Sequence, residues 1–193
     1  DEPFVLFVSF IAPHFPLIVP EEYFNLYKNY SIPSIKKFNP ELKDHPWWKA
    51  FNDCYTFDRY FKDDDHRKVA IISYMGLCTF VDNLIGKVLD SLNDHGFSNE
   101  TNILFLSDHG ENLGARGLWG KSVMYEEAVG IPMLLSGPKV GHKNVVKTPV
   151  SLIDVFPTIL DAFNLTNPDD NPGRSLFNIA DEKDDKNRLV FSE

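Results

Sequence analysis

A long helix with one hydrophobic face is predicted between the acidic triplet at residues 63–65 and Gly96. Hydrophobic side chains recur there at spacings of 4, 3, 4 and 4 residues, at Leu77, Val81, Leu84, Val88 and Leu92. This spacing places them on one side of an α-helix, and that side leaves water only by packing against another element. The acidic triplet suits the first turn, and Gly96 suits the residue after the last turn. Any fold of this chain must therefore cover one face of a long helix.

Short runs of β-branched and aromatic residues lie on either side of this helix. The runs at residues 4–10, 102–106 and 131–135 lack the polar–apolar alternation of a half-exposed strand, so they predict strands buried on both faces. A second helix is predicted at residues 151–163, with a local break or kink at Pro157. Buried strands that alternate with helices predict an α/β fold, a three-layer α/β/α architecture with a mostly parallel sheet.

The remaining segments are predicted to be short or irregular. Residues 21–27 predict a short helix, and residues 29–62 are rich in aromatic side chains and Pro without a period, which indicates an irregular stretch. Residues 181–188 are charged and predict a solvated connection, and residues 189–191 predict the start of a further strand.

The charge balance bears on the possible partners. The chain has 193 residues, 19 Lys and Arg against 28 Asp and Glu, and a net charge of −9. Nucleic acids and anionic membranes bind basic faces, so this composition disfavours both as partners. The apolar run at residues 3–13 is about half as long as a membrane span. The composition is that of an acidic, globular chain.

The cysteines and the first residues say little about the compartment. Cys54 and Cys78 are too few for a disulfide framework and lack the C-x-x-C spacing of a zinc or redox site, and one bridge or two unpaired thiols both remain open. The chain starts without Met and enters a strand-like run at once, which predicts a cut inside a larger protein.

Residues 107–121 follow a predicted strand and combine polar side chains with dense glycine. Residues 110–120 contain four glycines in 11 positions, whereas average usage of about 7% predicts about one. Such density lets the backbone turn tightly and approach a ligand. Asp108 and His109 are metal-binding residue types at the carboxyl end of a strand, where open α/β sheets bind ligands. The alternative is that Asp108 caps a helix and His109 lies at the surface.

A series of motifs in this chain resembles the second half of a sulfatase. The motifs, in chain order, are Pro-His-Phe-Pro at 13–16, Tyr74 and Asp82 before Gly86, Ser-Asp-His-Gly-Glu-Asn-Leu-Gly at 107–114, Gly-Leu-Trp-Gly-Lys at 117–121, Ile131-Pro132, the segment 149–158, and Gly-Arg-Ser-Leu at 173–176. The resemblance implies the alkaline-phosphatase-like superfamily, near its choline-sulfatase, iduronate-sulfatase and phosphonate-monoesterase branches. It further implies that residues 1–193 form a single partial domain, the C-terminal half of a catalytic domain.

The resemblance assigns roles to four residues. In the family, an Asp followed by Asn or His completes a metal site, which corresponds here to Asp108 and His109. A Lys 13 residues after that Asp contacts the sulfate and the leaving oxygen, which matches Lys121. The His of a Pro-His-x-Pro loop binds sulfate and protonates the leaving group, which matches His14. Cations aimed at the sulfuryl oxygens would stabilise their growing negative charge, and imidazole donates a proton near neutral pH. The alternatives are a solvent-facing lysine and an ordinary loop histidine.

The implied metal is calcium, although a His in place of the more common Asn also suits manganese or zinc. Sulfatases make a formylglycine nucleophile from a C/S-x-P-x-R motif, and neither Cys54 nor Cys78 lies in one. The nucleophile is therefore expected outside this chain, and the chain alone is expected to be inactive. The implied substrate is a sulfated small molecule or glycan, and the family suggests a periplasmic or secreted location.

Two alternatives to a sulfatase remain open. One is a phosphonate or phosphate mono- or diester hydrolase of the same superfamily, and the other is a non-catalytic anion- or glycan-binding module. Glu111, Arg116 and Trp119 border the predicted site, and the Trp pair at residues 47–48 either lines a pocket or packs in the core. The histidines that are interpreted as surface residues are His45, His66, His95 and His142.

Overall fold

The computed structural model describes residues 2–32, 45–141 and 145–192, which form two compact units. The helical unit contains Leu6–Ser91 and Gly110–Ala128, and the strand unit contains Asp1–Val5, Leu92–His109 and Val129–Glu193. The prediction of a single partial domain stays a prediction. His142 and residues 33–44 of the predicted irregular stretch lie outside the described residues.

The described part of the helical unit contains three helices of seven or more residues. Helix α1 is Glu21–Tyr27, α2 is Pro46–Cys54 and α3 is Asp64–Asp94, with a 3-10 turn at Phe57–Tyr60 before α3. The predicted short helix at residues 21–27 is present as α1. The prediction of an irregular stretch at residues 29–62 is wrong for α2, which begins with a proline in its first turn, where no backbone N–H is needed.

Helix α3 begins and ends where the sequence predicts. The Asp63 carboxylate accepts a hydrogen bond from the backbone N–H of His66 at 2.8 Å and so caps the first turn. At the other end, Gly96 has φ +81° and Phe97 N–H donates to the Leu92 carbonyl at 3.0 Å. The side chains buried on α3 are Ile72, Ser73, Gly76 and Leu77. The predicted apolar face is therefore well covered only around Leu77, and Val88 remains 36% exposed.

Helix α1 packs closely against α3 at Gly76. A Cβ at this position would lie 3.0 Å from both the Tyr23 carbonyl oxygen and Val19 Cγ2, so only glycine permits the approach without a shift. Two polar contacts hold the same interface, from Tyr27 Oη to Thr79 Oγ1 at 2.6 Å and from Asn83 Nδ2 to Tyr23 Oη at 3.1 Å.

Helix α3 is long enough and apolar enough to cross a membrane, by length and composition alone. Core helices of soluble proteins meet the same two criteria.

The described residues of the strand unit include one pair of strands, and this pair is antiparallel. Strand β1 (Ile103–Leu106) pairs with β2 (Met133–Ser136), and Ile103 faces Ser136 while Leu106 faces Met133. Both strands fall within or next to the predicted runs. The predicted parallel arrangement is not present among the described residues, in which β1 and β2 run in opposite directions. The short helix α4 (Glu126–Val129) lies between them in the chain.

Residues 4–10 and 189–191 form no strand in the part of the chain that the structure describes. Their apolar side chains are exposed, and Phe7 reaches 85% exposure. A strand needs a hydrogen-bonded neighbour, and neither segment has one among the described residues. The two strand predictions are therefore wrong for the structure as described.

Two short helices complete the strand unit. A 3-10 turn at Leu152–Asp154 leads into α5 (Val155–Ala162), and α6 is Leu176–Asp181. The helix predicted at residues 151–163 is broken into this 3-10 turn and α5, and Pro157 lies in the first turn of α5, where no backbone N–H is needed. The Thr158 hydroxyl joins the two helices, since it donates to the Asp154 carbonyl at 2.6 Å and accepts from Leu176 N–H at 2.8 Å.

A buried ion pair connects the start of α5 with the charged tail. Asp154 is fully buried, and its carboxylate accepts from both terminal nitrogens of Arg188 at 2.7 and 2.8 Å. Backbone N–H groups of Ser151 and Arg174 complete its hydrogen bonds. Burial raises the pKa of Asp154, but these hydrogen bonds outweigh it and the pKa is lowered. The prediction that residues 181–188 are solvated is thus wrong for Arg188, whose side chain is 11% exposed.

Candidate active site

His14 lies in the proline-rich loop that follows residues 4–10. Its backbone N–H donates to the Ile11 carbonyl at 3.0 Å, and its ring packs on Phe15 with 4.3 Å between the ring centroids. Nδ1 lies 2.7 Å from the Phe15 carbonyl oxygen. A carbonyl oxygen only accepts, so Nδ1 carries a proton and donates it in this contact. This contact within the loop leaves Nε2 as the ring nitrogen for a partner outside the loop.

The glycine-rich loop that carries Lys121 runs from Gly110 to Lys121 and turns through left-handed backbone. Its positive φ values occur at Leu113 (48°), Gly114 (84°), Arg116 (58°), Gly117 (75°) and Gly120 (84°). Left-handed backbone costs a non-glycine residue roughly 1–2 kcal/mol, so Leu113 and Arg116 are held there by their surroundings. At the start of the loop, Gly110 N–H donates to the Ala128 carbonyl at 2.7 Å, and a Cβ on Gly110 would overlap the Glu127 carbonyl oxygen.

A small hydrophobic cluster holds this loop in place through Leu118. Leu118 is 1% exposed and packs with Phe51, Val123 and Ala128, and Trp48 packs against the same cluster. Of the two interpretations of the Trp pair, this contact fits core packing for Trp48.

The fold of the helical unit brings His14 and Lys121 together. Lys121 Nζ lies 2.7 Å from His14 Nε2, although the two residues are 107 positions apart in the chain. Because Nδ1 holds the ring proton, Nε2 offers a lone pair to which the lysine ammonium can donate. The contact gives a positive charge and a transferable proton at one point. Their catalytic roles stay predictions, since geometry alone assigns no reaction.

The backbone of Gly120, next to Lys121, is held by two side chains of the same loop. Gly120 N–H donates to Glu111 Oε1 at 2.6 Å, and its carbonyl accepts from Asn112 Nδ2 at 2.5 Å. Trp119 is fixed from outside the loop, because its indole N–H donates to Asp58 Oδ1 at 2.9 Å. Hydrogen bonds from Arg67 lower the pKa of Asp58, so that carboxylate stays ionised.

The Arg116 side chain contacts Glu127 and Tyr125, which follow the glycine-rich loop in the chain. Its guanidinium donates to Glu127 Oε2 at 2.8 Å and lies 4.1 Å from the centre of the Tyr125 ring. The side chains of both Arg116 and Glu127 are less than one fifth exposed. These contacts give Arg116 a role in holding the loop, whereas the sequence suggested only that it borders the site.

An apolar cavity of about 300 Å³ opens beside the same loop. Phe15 and Gly120 line it, and these are the chain neighbours of His14 and Lys121. The rest of its wall is mainly aromatic, from Phe57, Tyr60, Phe61 and Trp119. The helical unit thus combines a charged pair with an adjoining apolar recess.

Asp108 and His109 lie directly after β1 in the strand unit. His109 Nε2 is 3.4 Å from Asp108 Oδ2, and His109 N–H donates to Asp108 Oδ1 at 3.1 Å. Ser107 Oγ donates to the His109 carbonyl at 2.8 Å and fixes the turn. The Asp108 side chain is 81% exposed and caps no helix. A carboxylate and an imidazole side by side fit two positions around a divalent ion, so the donor chemistry agrees with the implied metal.

No group of three or more His, Cys, Asp and Glu side chains gathers among the described residues. The metal-binding roles of Asp108 and His109 therefore stay predictions, and the described residues place no third such side chain with them. Cys54 and Cys78 are both free thiols, which decides between the bridge and the unpaired thiols that the sequence left open.

Comparison with known proteins identifies the family. The sulfatase family model matches residues 1–165. A sulfatase from Formosa agariphila is 30% identical over 186 residues, which cover 95% of this chain and 37% of that protein. The chain therefore spans little more than a third of this relative's length.

Solved structures agree with this result. A phosphonate monoester hydrolase from Silicibacter pomeroyi has a TM-score of 0.77 at 31% identity, over 87% of this chain and 35% of that one. A second structure, solved with its substrate D-glucosamine-2-N,6-O-disulfate, has a TM-score of 0.55 at 27% identity, over 76% of this chain and 31% of that one. The predicted α/β class and the predicted resemblance are both confirmed, and the chain belongs to the sulfatase family.

Proposed function

We propose that this chain is the C-terminal part of a sulfatase catalytic domain and that it supplies the groups that bind sulfate and protonate the leaving oxygen. The observation that carries the proposal is the 2.7 Å contact between Lys121 Nζ and His14 Nε2. Both residues lie in the region that the sulfatase family model matches. The nucleophile is proposed to lie outside the 193 residues.

Lys121 and His14 suit the charge changes of sulfate ester hydrolysis. As the S–O bond breaks, negative charge grows on the sulfuryl oxygens and on the bridging oxygen. An ammonium group placed there stabilises the transition state more than the ground state, which is what accelerates a reaction. The ammonium proton that Lys121 Nζ shares with His14 Nε2 then passes to the bridging oxygen, so that a neutral alcohol or phenol leaves and the pair remains as a neutral amine and a neutral imidazole.

Asp108 and His109 would hold two positions of the divalent metal that the family implies. When bound, such an ion neutralises negative charge on the ester oxygens. The carboxylate suits calcium, which prefers oxygen ligands, whereas the imidazole also suits manganese or zinc. Calcium is the proposed ion, on the family resemblance.

Calcium is expected to bind weakly to the isolated chain. Calcium usually takes six to eight oxygen ligands, and Asp108 contributes at most two here. Isothermal titration of the chain with calcium should therefore detect no submicromolar site. Submicromolar binding that is lost in Asp108→Ala but kept in the exposed control Asp90→Ala would contradict the proposal of a half-site.

The apolar cavity supports an ester with an aromatic or other apolar leaving group. Phe15 and Gly120 line it, so a group bound there would contact the chain neighbours of both members of the charged pair. Burial of apolar surface contributes roughly 25 cal/mol per Å², so an aryl group gains binding energy that a sugar hydroxyl does not. An aryl sulfate is therefore the appropriate first substrate.

A phosphonate monoester is the second candidate substrate. The observation that favours it is the similarity to a phosphonate monoester hydrolase at a TM-score of 0.77. A phosphonate carries the same kind of charged oxygens that Lys121 and His14 would bind. The non-catalytic alternative, an anion- or glycan-binding module, predicts binding without turnover.

The test measures turnover of an aryl sulfate and of an aryl phosphonate monoester by the full-length protein and by residues 1–193 alone. The full-length protein should hydrolyse the sulfate with the higher kcat/KM, and the chain alone should show no turnover above its own His14→Ala, Lys121→Ala double variant. A higher kcat/KM for the phosphonate favours the second candidate. Turnover by the chain alone, or none by the full-length protein, contradicts the proposal.

A further inference from the structure

The position of Lys121 depends on Gly120, whose two backbone groups are both bound by side chains. Glu111 Oε1 accepts from Gly120 N–H at 2.6 Å, and Asn112 Nδ2 donates to the Gly120 carbonyl at 2.5 Å. Asn112 N–H donates to the same carbonyl at 2.9 Å. These hydrogen bonds join residues 111–112 to residue 120, which directly precedes Lys121.

Glu111 also holds the other end of the loop. The same Oε1 accepts from Leu113 N–H at 3.1 Å, and Leu113 has the left-handed φ of 48°. One oxygen therefore joins a strained residue at the start of the loop to the residue before Lys121. A backbone donor bonded to an ionised carboxylate is held more strongly than one bonded to a neutral group.

Asn112 is a buried polar residue of the glycine-rich loop. Its side chain is 2% exposed. Its Oδ1 has no hydrogen-bond partner among the described residues, so its single direct bond from Nδ2 to Gly120 sets its orientation. Burying an amide in this way costs stability, and such a cost is typical of groups kept for a functional geometry.

We propose that Glu111 and Asn112 are positioning residues that fix Gly120, and through it keep Lys121 Nζ against His14 Nε2. The inference rests on the proposed function for its catalytic consequence, but the geometry can be measured without turnover. Gly120 itself has φ +84°. Because glycine has no Cβ, its backbone can rotate widely unless both of its peptide groups are held. Because Glu111 also lines the apolar cavity, its positioning role must be measured on the His14–Lys121 contact itself and not on kcat alone.

The test replaces the acceptor while keeping the size of the side chain. Glu111→Met removes the oxygen, Glu111→Gln keeps an oxygen but removes the charge, and Glu126→Met is the matched control, because Glu126 is an exposed glutamate of the same unit. Each variant of the full-length protein is assayed for kcat and KM, and the ring-nitrogen NMR shifts of His14 are measured against those of Lys121→Ala. Glu111→Ala, which leaves room in the adjoining cavity, replaces Glu111→Met if the latter does not fold.

We expect Glu111→Met to move the His14 shifts toward those of Lys121→Ala and to lower kcat on the order of 10²-fold, as for a misplacement of about 1 Å. Glu111→Gln, which keeps the oxygen but loses the charge, should move the shifts and lower kcat less than Glu111→Met, and Glu126→Met should retain the wild-type shifts and rate. Unchanged His14 shifts in Glu111→Met overturn the inference, whatever the rate. Moved shifts with an unchanged kcat support the positioning role and contradict the proposed catalytic role of the Lys121–His14 pair.

Discussion

The Lys121→Ala variant of the full-length protein should lose on the order of 10²–10³-fold in kcat, about 3–4 kcal/mol, by analogy with the loss of one oxyanion-hole donor. The physical reason is that the proposed function places the ammonium against oxygens whose negative charge grows only as the ester bond breaks. Removal of such a group lowers kcat and kcat/KM together. Steady-state kinetics with an aryl sulfate give both constants, and a melting temperature shows whether the variant is folded.

Two further variants make this result specific. Lys121→Arg should not restore the full rate, because a planar guanidinium cannot reproduce a compact ammonium at the 2.7 Å contact with His14. Lys87→Ala, which removes an exposed lysine of the same unit, should keep the wild-type rate. A Lys121→Ala variant with wild-type rate and melting temperature would mean that Lys121 is a surface lysine.

The Arg188→Ala variant is expected to lose about 3–5 kcal/mol of unfolding free energy, because it leaves a buried charge without its partner. The Asp154 carboxylate is fully buried and accepts two hydrogen bonds from that guanidinium. Urea unfolding at neutral pH measures the loss. The matched control is Arg174→Ala, since the Arg174 guanidinium pairs with Glu182 at the surface and exposed pairs contribute about 0–1 kcal/mol. Equal losses in the two variants would contradict the prediction.

The pH dependence follows from the same pair. The pKa of Asp154 is lowered in the folded chain, so its contribution is complete above the pKa of the unfolded state, about 3.9, and is lost as the pH falls through the folded value. Arg188 stays protonated throughout, because its pKa is raised by the hydrogen bonds to Asp154. The difference in stability between wild type and Arg188→Ala should therefore shrink below about pH 4.

The candidate site divides into a part that motifs reveal and a part that they do not. The four residues His14, Asp108, His109 and Lys121 were assigned from a resemblance, and each stands in a recognisable local pattern of prolines, glycines or a strand end. Glu111 and Asn112 lie within the motif at residues 107–114, but no local pattern marks their hydrogen bonds to Gly120. Their partner lies eight or nine residues away in a loop without a period, so only the folded loop reveals which groups meet.

The sequence by itself determined the elements whose signals are local. The ends of α3 follow from an acidic cap at Asp63 and a left-handed glycine at Gly96, and both act within one turn of the helix. The α/β class follows in the same way, because a helix of period 3.6 and short apolar strands differ in pattern over a few residues. Hydrogen bonds between residues close in the chain need no knowledge of the rest of the fold.

Only the tertiary structure decided what depends on distant residues. The antiparallel pairing of β1 with β2, the burial of Arg188 against Asp154, and the contact of Lys121 with His14 across 107 positions each join segments that carry no mark of one another. A lysine, an arginine or an apolar run has the same local preferences whether it faces water or a partner. Which of these holds is set by the free energy of packing the whole chain, because burial and charge pairing exist only once the distant group has arrived.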